Sequence, residues 1–467
     1  MLYMLSLLTL LPSLATVWAV PTNSPLDAAI SSNPTNVKSL IARDTSNSSI
    51  SRNLVSMTWY AGWHGTNDKF PLTKVSWKKY THISYAFGVT QANGSISLEA
   101  SNQPLFGQFV KEARRNHVKP MLTIGGWTGC QWFSTSVGSA KNRTAFVQTM
   151  IDLMHKYDLE GLDFDWEYPG KQGMGCNIVD EANDTNNFLL FLQALRATPE
   201  FKNRLITAAV TDVPFAIKGN PATDVSGFAK VLDWVEVMNY DAFGAWSKNV
   251  GPNAALNDTC APKEQQVGSA VSAVKTWTAA GMPANKLVLG VASYGHSFSV
   301  SESDAYASSS SSSKRAPSAN QTSASSGPQP SGTKLLAPFP KFDNTASPPG
   351  DAWDPQGDAT GTDQCGNPIT PQSGVWNFFA LIDEGYLDSK GTVSSQKSLG
   401  FRFDECSQTP YVYDPKNKTL ITYDDPKSFA AKGKFIHDSK MRGFAMWEAA
   451  GDKNDLLLDS IRSAMGA

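Results

Sequence analysis

The chain has 467 residues, 41% of them hydrophobic, and a formal net charge of −2. That is enough to bury a large core, and more than a minimal single domain needs. No arm or face is strongly basic, which argues against a nucleic-acid binder, and nothing in the balance points to an acidic partner. Aromatic residues make up 10%, with 13 Trp among them. Composition alone leaves open whether those Trp are core or platforms for stacking sugars.

Met1 to Ala15 is dominated by Leu and Met, and Val17 and Ala19 flank Trp18 in the small-x-small pattern of a cut after Ala19. Residues 1–19 therefore read as a secretory signal peptide, although no Lys or Arg precedes the apolar run. The rival is an uncleaved anchor, but the run is short against the roughly 20 residues of a membrane span. Two features agree with secretion. Asn-x-Ser/Thr occurs at Asn47, Asn93, Asn142, Asn183, Asn257, Asn320 and Asn417. The five cysteines, Cys130, Cys176, Cys260, Cys365 and Cys406, are not spaced as metal ligands, so disulfides are expected, with one thiol left over. Their pairing is not legible. The expected setting is extracellular, with a cell wall as one possible site of residence and no membrane.

Residues 20–52 are rich in Ser, Asn, Thr and Pro and read as a flexible leader, with a barrel-covering arm as the alternative. From Asn53 a rhythm begins. Strand-like runs fall at Leu54–Trp59, His82–Phe87, Pro120–Ile124, Gly161–Asp165, Leu205–Val210, Trp234–Met238, Lys286–Val291 and Gly443–Met446. Helical spacing fills most gaps, at Pro104–Asn116, Asn142–Tyr157, Thr185–Ala197, Lys263–Ala280 and Asn454–Met465. Strands nearly continuous in apolar character, alternating with helices, describe a parallel sheet covered on both faces. Closed into a ring it is an α/β (β/α)8 TIM barrel. The rival open sheet lacks a glycine-rich loop after its first strand.

The barrel is expected over residues 53–298 and 439–467. Between them, residues 299–332 form a Ser-rich low-complexity loop that carries the dibasic Lys314-Arg315. Residues 333–438 hold short strands at Val375–Ile382, Ser398–Phe403, Pro410–Tyr413 and Leu420–Tyr423, then a helix at Pro426–Lys434. They read as a small α+β insertion domain beside the face where barrel strands end.

The chemistry concentrates in Glu160-Gly161-Leu162-Asp163-Phe164-Asp165-Trp166-Glu167. Alternate residues of a strand share one side. Asp163, Asp165 and Glu167 then face the barrel interior if Leu162 and Phe164 pack outward. Three stacked carboxyls are costly unless they share protons, and crowding raises at least one pKa into the range a general acid needs. The acid is expected to be Glu167, where the strand meets the open face. A solvated acidic edge would not carry Leu, Phe and Trp so regularly, and a metal site would bring more ligands.

This run resembles the Asp-x-x-Asp-x-Asp-x-Glu signature of glycoside hydrolase family 18, the chitinases. Thr123-Ile124-Gly125-Gly126-Trp127 is similar to the family's Ser-x-Gly-Gly, Met238-Asn239-Tyr240-Asp241 to its Met-x-Tyr-Asp, and Trp447 to the Trp closing the eighth strand. The resemblance spans Leu54 to Asp452, and an insertion before the last strand is typical of one branch.

The resemblance implies substrate-assisted cleavage of chitin or chito-oligosaccharides by a monomer, with no cofactor and no metal. Glu167 would be the acid, Asp165 would orient the substrate's acetamido group, and Asp163 would share its proton, supported by Tyr60 and Thr123. Tyr240 and Asp241 would sit against the −1 sugar. Trp447 would floor that subsite, Trp127 and Trp246 would extend the platform, and Phe87, Gly126, Met238 and Tyr294 would line the cleft. Three positions depart from the pattern: Glu160 replaces the first Asp, Thr123 replaces Ser, and His296 stands where many relatives have Arg. A chitinase-like lectin, an endo-β-N-acetylglucosaminidase acting on N-glycans and a structural wall protein are the alternatives.

Overall fold

The computed structural model describes residues 54–65, 69–306, 335–346, 348–354, 362, 365–366 and 373–467. The signal peptide, the leader, Asn47, Asn320, Lys314-Arg315 and most of the Ser-rich loop lie outside them. Among the described residues no helix is long and apolar enough to cross a membrane.

Eight parallel strands close into a barrel: Val55–Ala61, His82–Thr90, Lys119–Gly125, Gly161–Asp165, Leu205–Val210, Trp234–Val237, Leu287–Ala292 and Gly443–Trp447. Each pairs with its neighbours in sequence order, and the first pairs with both the second and the eighth. Each of the eight apolar runs is one of these strands. They form where the sequence is apolar on both faces because both faces are covered. Outward residues meet the helices: Phe164 packs on Phe188 and Phe191 of the helix Asp184–Arg196. Inward residues Val55, Met57, Trp59, Ala86, Ala209, Trp234, Val288 and Ala445 form a separate apolar cluster inside the barrel. Each buried Phe or Leu contributes about 1.5–3 kcal/mol of apolar burial.

The expected helix Lys263–Ala280 is broken. A 3-10 turn covers Lys263–Gln265, and the α-helix runs over Ala270–Ala279. Gly268 sits at φ +136°, where a Cβ would lie 2.0 Å from the Asp212 carboxylate. Ser269 then starts the helix through a reciprocal capping box with Ser272.

The insertion carries an antiparallel sheet in the order Val375–Asn377, Tyr294–Ser299, Thr419–Thr422, Thr409–Asp414, Gly400–Asp404. Its chain boundaries differ from those read in the sequence. Tyr294–Ser299, placed with the barrel above, is a strand of this sheet. The helix Pro426–Asp438, placed with the insertion, packs on the closing helix Leu456–Met465. Their approach is close enough that a Cβ at Gly433 would meet the Ile461 carbonyl at 2.5 Å. The run Val375–Ile382 is a strand only to Asn377. The Asp351 carboxylate takes the Asn377 N–H at 2.6 Å, and the chain turns into the helix Phe378–Asp383.

Two disulfides, Cys176–Cys365 and Cys260–Cys406, tie loops that follow the fourth and sixth barrel strands to the insertion. The fifth cysteine, Cys130, is a buried free thiol.

Candidate active site

The fourth strand ends at Asp165, and Glu167 stands just beyond it, 9% exposed. Trp166 turns the other way and stacks on Phe133, which anchors the chain between the two acids. Cys130 pins the same turn from behind. Its thiol donates to the Asp165 carbonyl at 3.0 Å and accepts the Glu167 N–H at 3.2 Å. Gly126 donates its N–H to that carbonyl as well, at 2.9 Å. The backbone that presents Glu167 is therefore fixed on the side away from the open face.

The three acids have different surroundings. Asp163 is fully buried and accepts from Thr123 at 2.8 Å, Thr207 at 2.8 Å and Trp59 Nε1 at 3.2 Å. Ser84 and the Trp59 ring also reach the Thr123 hydroxyl, at 2.6 and 3.0 Å. Asp165 is buried with Oδ1 lacking a hydrogen-bond partner among the described residues. Burial, then the charges of Glu167 and Asp163, hold its carboxyl well above the usual range. Glu167 is pushed up to about 7, chiefly by burial; a hydrogen bond from Tyr168 opposes the shift and the Asp241 charge adds to it. An acid of that strength holds its proton near neutral pH and can still give it up.

Tyr240 is half-buried beside these groups, with its ring against Tyr294. Asp241 sits in the left-handed region at φ +57°. The Asn253 side chain takes its N–H at 2.9 Å, an anchor for that conformation. Its carboxylate accepts from Tyr294 OH at 2.8 Å and meets His296 Nε2 at 2.7 Å. The imidazole of His296 thus supplies a polar contact to Asp241 from this position. Glu160 lies at the far end of the strand and pairs with Arg204 at 3.2 Å, away from the acids.

Apolar platforms surround the carboxyls. Trp447 stacks on Phe87 at 5.3 Å and meets Trp59 edge-on at 5.9 Å. Trp127 and Trp246 are 49% and 63% exposed, far more than core packing would leave them. Gly126 adopts φ +76°, with the Phe87 ring where its Cβ would be. Met238 borders the inner barrel cluster.

One residue falls elsewhere. Tyr60 points outward, packs on Tyr85, Phe109 and Phe70, and donates to the Phe70 carbonyl at 2.8 Å. Its neighbour Trp59 is the residue that reaches Asp163. Strand alternation explains the exchange, because Val55, Met57 and Trp59 share the inner face. Sequence reading also missed Thr207, Tyr168 and Trp63, whose ring lies over Phe87. Tyr168 had a visible cue in its place directly after Glu167. Among the described residues no group of three or more His, Cys, Asp or Glu could hold a metal ion.

A closed parallel barrel with a stack of buried carboxyls at the end of its fourth strand, under an aromatic platform, defines a glycoside hydrolase. The model of Glycosyl hydrolases family 18 matches residues 55–452, and the chain belongs to that family. It is 47% identical to a chitinase-like effector of Moniliophthora roreri over 88% of this chain and 93% of that one. It is 42% identical to a chitinase-like effector of Moniliophthora perniciosa over 91% and 90%. Among solved structures, the chitinase of Rhizomucor miehei superposes with a TM-score of 0.72 at 27% identity, covering 88% of this chain and 99% of that one.

Proposed function

We propose that the chain is a secreted chitinase that hydrolyses β-1,4 bonds between N-acetylglucosamine units with retention of configuration. The observation that carries this reading is the Glu167 carboxyl, pushed up to about 7 and held beside Asp165, whose buried Oδ1 lacks a partner. Glu167 gives its proton to the glycosidic oxygen as the C1–O bond breaks. The acetamido carbonyl oxygen of the −1 sugar attacks C1, forming an oxazolinium ion. Asp165 accepts the acetamido N–H through its free oxygen and stabilises the charge that develops there. Tyr240 donates to the acetamido oxygen. Water then adds to C1 and returns a proton to Glu167. The substrate supplies its own nucleophile, so the scheme needs no second nucleophilic carboxylate and demands an N-acetylated −1 sugar.

A second reading is favoured by the effector names of the two Moniliophthora relatives. It is binding of chitin oligomers without turnover. Steady-state hydrolysis of a chito-oligosaccharide by the wild type and by Glu167→Gln separates the two. Turnover abolished by the substitution, with affinity kept, supports hydrolysis. Tight binding with no turnover by the wild type overturns it and leaves the binding role.

A further inference from the structure

The peptide groups on both sides of Glu167 are held by side chains. Its N–H donates to the Cys130 thiol. Its carbonyl accepts from Asn177 Nδ2 at 3.1 Å, ten residues further along the loop. Asn177 is buried. The loop between them doubles back closely over this carbonyl: a Cβ at Gly173 would lie 2.0 Å from the Glu167 oxygen. The Asn177 N–H donates to the Met174 carbonyl at 3.0 Å, and Gln172 Nε2 reaches the Asn177 carbonyl at 3.3 Å.

The Asn177 amide is oriented by this contact. Its Oδ1 is buried and lacks a hydrogen-bond partner among the described residues. Turning the amide over would set that oxygen against the Glu167 carbonyl, acceptor against acceptor. A buried amide with one end unpaired costs stability, so stability alone does not account for Asn177, whereas presentation of the acid does. Both neighbours of Asn177 are tied to other parts of the chain. Cys176, directly before it, is joined to Cys365 of the insertion. Ile178, directly after it, donates its N–H to the carbonyl of Gln131, next to Cys130, at 3.1 Å. The Glu167 carboxyl stands at the end of a flexible two-methylene stem. A small rotation of its peptide would therefore carry the proton away from the bond it must reach.

We propose that Asn177 is a positioning residue for the acid Glu167, held in place by the Cys176–Cys365 disulfide. It takes no part in proton transfer; it fixes the peptide from which the acid extends. The insertion domain thereby helps to aim an acid that stands on the barrel.

The rate arms of the test rest on the hydrolysis proposed above; the exchange arm does not. Asn177→Ala should lower kcat about tenfold, the worth of one hydrogen bond, with KM and the thermal midpoint little changed. An unchanged kcat would overturn the proposal. Asn177→Asp keeps the shape of the side chain but, when ionised, has no donor. Relative to wild type, its kcat should be at least as low as that of Asn177→Ala at alkaline pH. It should recover as the pH falls and the introduced carboxyl gains a proton to donate, while the ratio for Asn177→Ala stays flat. Parallel profiles for the two variants would overturn the assignment. Cys365→Ser opens the disulfide from the insertion side and should reproduce the Asn177→Ala loss; Cys176→Ser serves if it does not fold. Adding Asn177→Ala to either should lower kcat no further, and losses that multiply would overturn the role of the disulfide. Hydrogen exchange needs no turnover. The peptide that carries Glu167 should exchange about tenfold faster in Asn177→Ala than in the wild type. Unchanged exchange would overturn the proposal. Faster exchange in a protein whose wild type cleaves nothing would keep Asn177 as the holder of this turn and reject only the hydrolytic reading.

Discussion

Asp163 inside the barrel and Asp424 at the end of the insertion sheet are both shut off from solvent, yet they are stabilised differently. Asp424 meets the Lys432 ammonium at 2.6 Å, both side chains fully buried. Asp163 meets no cation among its hydrogen-bond partners. Two hydroxyls and an indole hold it. A buried ion pair locks one charge distribution in place. A column of carboxyls and hydroxyls keeps protons that can be redistributed, and that freedom is what acid catalysis uses. The structural pair joins the sheet to the helix Pro426–Asp438, while the column stands where barrel strands end.

The largest contrast is expected from the column. Glu167→Gln should cut kcat by at least about 10²–10⁴-fold, the range that general acid catalysis contributes. Oligosaccharide affinity, measured by calorimetry, should persist. Asp165→Asn should also lower the rate strongly and spare affinity; a collapse of affinity would make Asp165 a binding residue. At the ion pair, Lys432→Met should destabilise by about 3–5 kcal/mol in urea, since it strands a buried carboxylate. Any activity left in the folded fraction should keep its pH profile. A loss under about 1 kcal/mol would mean that water reaches the pair, and the comparison would fail there.

The pH dependence sharpens the same contrast. Glu167 acts only when protonated, and its carboxyl is pushed up to about 7. The kcat/KM of the wild type should therefore be sustained on the acid side of that value and fall about tenfold per pH unit above it. A limb near the ordinary carboxylate range would contradict the burial of this acid. The smallest effect belongs to Glu160→Asp. Its partner Arg204 is partly exposed, so stability should change by less than about 0.5 kcal/mol and rate hardly at all.

The eight strands were legible because most are nearly continuous in apolar character and lie between helical stretches. The same property hid the phase within a strand. In Met57-Thr58-Trp59-Tyr60 every residue is buried, so nothing in the sequence said whether Trp59 or Tyr60 faces Asp163. Leu162-Asp163-Phe164-Asp165 could be phased because its polar residues alternate. Glu236 stands alone in Trp234-Val235-Glu236-Val237, and a single acid in an apolar run gives no hint that its carboxyl is wholly buried against the Trp234 indole. The disulfides join residues 189 and 146 positions apart, a pairing set by tertiary approach. Gly268 broke a helix that its apolar spacing favoured, through a backbone angle and a contact with Asp212.

One measurement bears on both the catalytic role of Glu167 and the nucleophile supplied by the substrate. It is the anomeric form of the first product released from an N-acetylglucosamine hexamer, followed by proton NMR before mutarotation. The account expects the β anomer first, from wild type and not from Glu167→Gln. An α anomer formed first, or no cleavage by the wild type, would contradict it.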